Sequence, residues 1–512
     1  MHLVTTHPNP RYAEGSMRYQ RRAAVMALLV MALGIGRGQG STAQQPGVAH
    51  ALMTSRAQAE RAIAAWNQDL PAMPGEVLVK FRPGTGGDAQ SRALSVVRGS
   101  ADETESTWLG DVLLARTPGE PDAVVTAAAL ARQPEVEWAQ PNYLRSLHAA
   151  PNDPGYGRQW NFQMIEMPRA WDINPGGSAD VVVAVIDTGV TTQTATHPFT
   201  LWTEAGFQTV NVPFALSPDL TAARVLPGRD FVFWNGPVLD MVGHGTHLAG
   251  TVLQETDNGV GLAGIAYRAR LMPLKACYGY WEVQIVQSEL GIPGFVDPSE
   301  RGTCPDSAVS QAIRYAADNG AQVINLSLGG PSPSPITREA LRYAVGRGVF
   351  VAISMGNQFE AGNRTEYPAA YAPDLEGAVS VGAVGRSGRR AYYSATGAHV
   401  ELAAPGGDSR DGGLAGVVYQ VGLDTQVFDS FTVIRPRFDG YVEAPLQGTS
   451  VATPHVAGLA ALLIAQGIRQ PAALEAALRR FARDLGAAGR DAEYGHGVID
   501  ARATLRGLGL SR

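Results

Sequence analysis

A chain of 512 residues can hold one large domain and a smaller one. Apolar residues make up 45% and charged residues only 17%, and 59 glycines with 33 prolines describe a loop-rich globular protein below the low-complexity range. A formal net charge of −6 with no basic cluster argues against nucleic acid or an anionic membrane as partner.

In chain order, "MRYQRRAAVMALLVMALGIG" places Arg18, Arg21 and Arg22 ahead of an apolar run from Ala23 to Ile35. Such a run is short for a membrane span and normal for a signal-peptide core, with the small residues of "GSTAQQ" offering cleavage after Ala43. A short N-terminal anchor is the alternative. Residues 1–43 are therefore read as leader and signal peptide, Met17 as a candidate start, and the protein as exported to the extracellular space or periplasm, with no membrane contact afterwards. Residues 44–75 are Ala/Gln-rich and expected to be mobile or loosely helical. "GEVLVKFRPG" (75–84) and "DVLLARTP" (111–118) read as strands, and "PDAVVTAAALARQPEVEWAQPNYL" as a helix, a proline break and a third strand. These make a small α+β unit ending near Leu144, followed by a turn-rich linker.

Beyond residue 152 the pattern changes. "ADVVVAVIDTGV" is apolar from Val181 to Ile186 and stops at Asp187, and "QVINLSLGG", "GVFVAISMGN" and "GAVSVGAVG" repeat the form. Helical stretches such as 305–320 and 337–348 separate several of these. Short, uniformly apolar strands alternating with helices predict an α/β fold, a mostly parallel sheet with helices on both faces. Ligands of such sheets sit beyond the carboxyl ends of the strands, where Asp187 and Asn357 lie. The only cysteines, Cys277 and Cys304, bracket a segment too long for an ordinary loop. In an oxidising compartment they are expected to form one disulfide, the alternative being two buried thiols.

Three residue types then stand out. Asp187 ends a buried strand, where a turn cap is the plain alternative. His244 lies between Gly243 and Gly245 in "GHGTHLAG"; a core histidine, or a metal shared with His247, would also fit that spacing, although no H-E-x-x-H pattern occurs. In "LQGTSVATPHVAGLAALL" an apolar stripe of Val456, Leu459, Ala460 and Leu463 predicts a helix. Pro454 requires that helix to start near Ser450, which could be a cap or a reactive hydroxyl at an electropositive helix end. Carboxylate, imidazole and hydroxyl together are the set that acyl transfer needs.

"VVAVIDTGV", "GHGTHLAG" and "GTSVATPHVAG", in this order, resemble the three signature segments of the subtilisin-like serine peptidases, the subtilases. "NDPGYGRQWNFQMIEMPRAWDI" and "YGHGVIDARATL" resemble the ends of the family's mature domain, and the 75–144 unit is similar to its propeptide. The resemblance implies a subtilisin-like fold over 148–512, with residues 44–147 as an inhibitory, chaperone-like propeptide. It implies a secreted, self-processing, monomeric endopeptidase acting on proteins and peptides through an acyl-enzyme. Asp187 would orient His244, His244 would be base and then acid, Ser450 the nucleophile, and Asn357 of "AISMGNQ" an oxyanion donor. Ser327, Leu328 and Gly329 of "SLGG" would bind substrate as an added strand. Val451 and Leu248 replace residues common in the family, both mildly.

No cofactor is expected for the chemistry, but structural calcium is implied. "TDNGVGLAG" resembles a calcium loop whose ligand would be Asn258; the aspartate expected soon after "HP" is replaced by Phe199, and Asp153 is the substitute. Gln358 is expected at the rim of the specificity pocket. No acidic residue is assigned to the base of that pocket, so a strict Arg/Lys preference is not indicated. A catalytically dead binding fold would need a replaced triad member, and an esterase would need a G-x-S-x-G elbow; neither is present.

Overall fold

A computed structural model describes residues 56–67, 72–97, 107–117, 122–144, 150–233, 236–296, 302–424 and 436–507. The expected signal peptide and its cleavage site lie outside them. Among the described residues no helix is long and apolar enough to cross a membrane. The chain divides into two compact units, Met1–Arg145 and Ser146–Arg512.

The first unit holds α1 (Arg56–Asn67), β1 (Ala72–Phe81), α2 (Gly87–Leu94), β2 (Thr107–Leu109), β3 (Val112–Arg116), α3 (Ala123–Ala131) and β4 (Val136–Tyr143). Its antiparallel sheet has the order β2-β3-β1-β4. Val77 and Val79 of β1, two apart and therefore on one face, join Ala127 and Leu130 of α3 in the core. Asp122 caps α3, its carboxylate accepting from the N–H groups of Val124 and Val125 at 2.9 and 3.2 Å.

The second unit is built on a seven-stranded sheet. Its strands are β5 (Val182–Asp187), β8 (Arg229–Asp230), β9 (Arg270–Lys275), β10 (Val323–Leu326), β11 (Phe350–Ser354), β12 (Ala378–Val384) and β13 (Leu402–Pro405). Their spatial order is β13-β12-β11-β10-β5-β9-β8, and every pairing is parallel. Val183 and Val185 of β5 enter one core, whereas Val182, Ala184 and Ile186 enter a second on the opposite face. Both faces are thus covered, which is why these strands read as unbroken apolar runs. The second core is closed by α6 (Asp306–Asp318) and α7 (Pro335–Gly346), the first by α4 (His244–Leu253) and α8 (Thr449–Ala465).

Helix α8 departs from the expected amphipathic form. Every residue from Val451 to Ile464 is buried, because α8 runs across β10 to β13 and is covered on its other side by α4. Each of its buried leucines, such as Leu462, contributes about 2–5 kcal/mol relative to alanine in a site of this kind.

Four strands had no clear sequence signal. β6 (Ala195–Thr203) and β7 (Gly206–Phe214) form a hairpin between Asp187 and His244, and β14 (Val418–Leu423) pairs antiparallel with β15 (Tyr441–Leu446) just before α8. The segment between the cysteines is not simply a loop, since α5 (Tyr280–Glu289) occupies part of it. The Cys277–Cys304 disulfide closes that segment. A fully buried Lys275–Glu282 ion pair of 2.8 Å ties α5 to the sheet, and Lys275 Nζ also donates to the Thr188 carbonyl at 2.6 Å.

Candidate active site

Asp187, His244, Asn357 and Ser450 line one cleft of about 1430 Å³ at the carboxyl ends of β5, β10 and β11. Asp187 Oδ1 accepts from His244 Nδ1 at 2.7 Å and from the Thr188 N–H at 2.8 Å. The carboxylate is buried, while the imidazole stays 30% exposed at the cleft wall. The close approach depends on Gly245, where a Cβ would fall 2.2 Å from the Gly189 carbonyl oxygen. Burial, the largest single influence on His244, favours its neutral form. The Asp187 charge and hydrogen bond, with the Asp240 charge, together outweigh it and raise the His244 pKa above its ordinary value.

Asp240 escaped the sequence reading. It is fully buried and accepts from Thr188 Oγ1, the Val242, Gly243 and Thr246 N–H groups, and Thr246 Oγ1 at 2.6–3.1 Å. These bonds join the turn after Asp187 to the start of α4, fixing both partners of the Asp–His pair. An aspartate four residues ahead of a glycine-flanked histidine was the available signal. His247 is a core histidine: it is buried, its Nε2 lies 3.2 Å from the Ala444 carbonyl, and burial with the His244 charge lowers its pKa to about 3. The alternative of a metal shared by His244 and His247 gains no support from this geometry.

Ser450 occupies the first turn of α8 and is half-buried. Pro454 has no N–H to give the Ser450 carbonyl, and Ser327 Oγ donates to that carbonyl instead at 2.8 Å. Asn325 Nδ2 in turn donates to Ser327 Oγ at 3.0 Å. Thr449, also unforeseen, orients Asn357: its N–H and Oγ1 both donate to Asn357 Oδ1, at 2.8 and 3.0 Å. With that oxygen engaged, the Asn357 amide nitrogen is left for the cleft. A Cβ built on Gly448 would lie 2.9 Å from Ser450 Oγ and 3.4 Å from Asn357 Nδ2, so the two groups are close neighbours.

Ser327, Leu328 and Gly329 follow β10 and line the same cleft, as does the exposed Gln358. The cleft wall also carries acidic side chains, among them Glu366, which is 6% exposed and lies between Gly329 and Gly356.

Asn258 and Asp153 lie apart from this cleft, on another part of the same unit. The Asp257 and Asn258 N–H groups donate to Asp153 at 2.9 and 3.3 Å, and Asn258 Nδ2 donates to Asp219 Oδ1 at 2.7 Å. Asp219, in "SPDL", lies beyond the β6–β7 hairpin, twenty residues after Phe199, and it is this carboxylate that Asn258 meets. Asp153 and Asp219 are both buried, and no ion pair to either occurs among the described residues. Burial, then the charge of Asp153, work against ionisation of Asp219 more strongly than its hydrogen bonds favour it, so its pKa is raised. No cluster of three or more His, Cys, Asp or Glu side chains suited to a metal occurs among the described residues. Two buried carboxylates that are hydrogen-bonded but have no cation, with the Asn258 amide beside them, are nonetheless oxygen donors of the hard type that calcium takes.

The family model described as the Subtilase family matches residues 178–497, more than half of the chain. A thermophilic serine proteinase of Bacillus sp. (strain AK1) is 33% identical over 427 residues, 82% of this chain and 85% of the relative. Thermitase of Thermoactinomyces vulgaris is 32% identical over 341 residues, 66% and 94% of the two chains. Among solved structures, a protease from Pseudoalteromonas arctica aligns with a TM-score of 0.51 and 28% identity, covering 70% of this chain and 99% of its own. The aspartate, histidine and serine that share the cleft thus sit within the matched region, and the chain belongs to the subtilase family of subtilisin-like serine peptidases.

Proposed function

We propose that the protein is a secreted serine endopeptidase, made as a precursor that processes itself, with Asp187, His244 and Ser450 as catalytic residues and Asn357 as oxyanion donor. The observation that carries this reading is the 2.7 Å Asp187–His244 bond in one cleft with a serine at a helix start beside an amide nitrogen. Ser450 Oγ attacks the scissile carbonyl as His244 Nε2 takes its proton. The carbonyl oxygen becomes an anion held by Asn357 Nδ2 and the Ser450 N–H, which the start of α8 leaves without a helical acceptor. Collapse expels the amine, which receives the proton from His244, and leaves the acyl-enzyme. Water then repeats the sequence, regenerating Ser450. Asp187 holds the proton on Nδ1, keeps Nε2 free to accept, and balances the imidazolium as it forms.

Asn357→Ala assayed on casein tests the oxyanion assignment. Turnover should fall by about 10² to 10³, the loss known for the corresponding donor of subtilisin and not a value calculated for this chain. The Michaelis constant should barely move, because the donor acts on charge that develops in the transition state. A large rise in the Michaelis constant with turnover intact would sink the assignment.

The first unit is read as the propeptide and residues 148–512 as the peptidase domain. A unit this small buries too little surface to be very stable alone, and a parallel sheet of distant strands folds slowly, so a covalent template would be useful. Export is supported by the basic and apolar N-terminal pattern and by the disulfide.

Calcium would be held by Asp153, Asp219 and Asn258 with nearby carbonyls, and would neutralise buried charge without entering the reaction. A chelator should then lower the unfolding temperature of the mature enzyme and have little effect on Asp219→Asn. Ion in 100-fold excess over its dissociation constant is worth about 2.7 kcal/mol. Unfolding temperatures unmoved by the chelator in both proteins would remove calcium from the account.

A further inference from the structure

The cleft contains a charged group that the proposed mechanism leaves without a task. Glu366 is 6% exposed, and no hydrogen bond or ion pair engages its carboxylate among the described residues. Burying a lone carboxylate is costly, and such a group ordinarily has a partner. Burial pushes its carboxyl above the usual glutamate range, and no neighbouring cation draws it back.

Its position is closely constrained. The Glu366 stem lies against Gly356, where an added Cβ would meet Glu366 Cγ at 2.4 Å; any side chain at 356 would displace it. On the opposite wall, Glu366 Oε2 is 3.4 Å from the Cβ position of Gly329. The next residue, Tyr367, pairs with Gly330 through two backbone hydrogen bonds of 2.8 Å, clamping Glu366 to the end of the 327–330 segment. The carboxylate therefore stands between the segment proposed to carry the substrate backbone and the Gly356–Asn357 turn that presents the oxyanion donor. With a substrate strand on the 327–329 segment and its carbonyl at Ser450 and Asn357, as proposed above, the space between these two walls is the one open to the side chain on the acyl side of the scissile bond.

We infer that Glu366 is a specificity-determining residue, which selects peptides whose residue on the acyl side of the scissile bond is lysine or arginine. The inference rests on the endopeptidase reading and adds a substrate class to it. A cationic side chain entering between Gly329 and Gly356 would supply the missing partner beside a carboxylate that the cleft wall partly shields from solvent, where an ion pair is screened less than on the open surface. A neutral apolar side chain would leave the carboxylate buried and unpaired. The selection thus works by penalising the wrong substrate as well as by attracting the right one.

The test uses the mature enzyme and tetrapeptide anilides that differ only in the residue before the scissile bond: arginine, lysine, glutamine, leucine and phenylalanine. Wild type should show its highest kcat/KM on arginine and lysine. Glu366→Gln, which keeps the shape and removes the charge, should lower the arginine-to-phenylalanine ratio of kcat/KM by about 10²-fold. Labelling of Ser450 by a fluorophosphonate counts the folded sites in each preparation. A wild-type enzyme that prefers phenylalanine or leucine overturns the inference whatever the variant does, and so does a ratio unchanged in Glu366→Gln. No hydrolysis of any anilide, together with no fluorophosphonate labelling, would overturn the endopeptidase reading itself and this inference with it.

Discussion

Ser450→Ala is expected to yield a folded, full-length precursor that never reaches mature size, with residual turnover of any added substrate reduced by about 10⁶. That magnitude is the one known for subtilisin itself, not a value calculated for this chain. The loss should be chemical, because the mutation removes only Oγ. The Ser450 carbonyl keeps its bond from Ser327 Oγ, and Thr449 still holds Asn357, so the start of α8 and the oxyanion donors stay in place. Those proposed donors should leave a rate of about 10³ to 10⁴ over water, as in subtilisin. Denaturing electrophoresis of the variant expressed in a protease-deficient host reads the processing directly. Mature-length protein from Ser450→Ala alone would mean that another protease performs the cut.

The second expected result is a loss of about 10⁴ in turnover for Asp187→Ala, again the order of magnitude known for subtilisin. Asp187 Oδ1 receives both the His244 Nδ1–H and the Thr188 N–H, so its removal takes away the ring's orientation and its balancing charge together. Asp187→Asn separates these effects. An asparagine oxygen kept in place by the Thr188 N–H would preserve the productive tautomer without the charge, and this variant should retain more activity than Asp187→Ala. Both variants should also move the pH dependence, and the sign follows from the base role of His244. The ring must be neutral to take the Ser450 proton, and the Asp187 charge and hydrogen bond are what lift its pKa against burial. Without them the pKa falls, so the acidic limb of kcat/KM should shift to lower pH even as the plateau drops. A limb that moves up, or stays fixed while activity collapses, would contradict the assignment of His244 as the titrating base.

The lysine buried beneath this turn has a clear structural role. Lys275 spans the Thr188 carbonyl and Glu282, so α5 and the disulfide-closed segment are fastened at the same point as the Asp187 turn. The segment between the cysteines therefore enters the cleft wall, through Gly279, Tyr280 and Trp281, without disturbing the sheet.

Local pattern alone gave the buried strand that stops at Asp187, the glycines that let His244 approach it, and the proline that forces a helix to start at Ser450. Each of these is written in a few adjacent residues, because burial, backbone freedom and a missing N–H act over one or two turns of chain. The residues that complete the site are scarcely written locally. Asp240 is marked at most by its spacing from His244, and Thr449 and Glu366 by nothing nearby; all three acquire their roles from partners as far away as Thr188, Asn357 and Gly329. Asp219 likewise reaches Asn258 from beyond the β6–β7 hairpin, a meeting that no local spacing announces. Periodicity reports which side of an element is buried, but not what it is buried against. That is decided when parallel pairing brings β5, β10 and β11 side by side, and their carboxyl ends meet the start of α8.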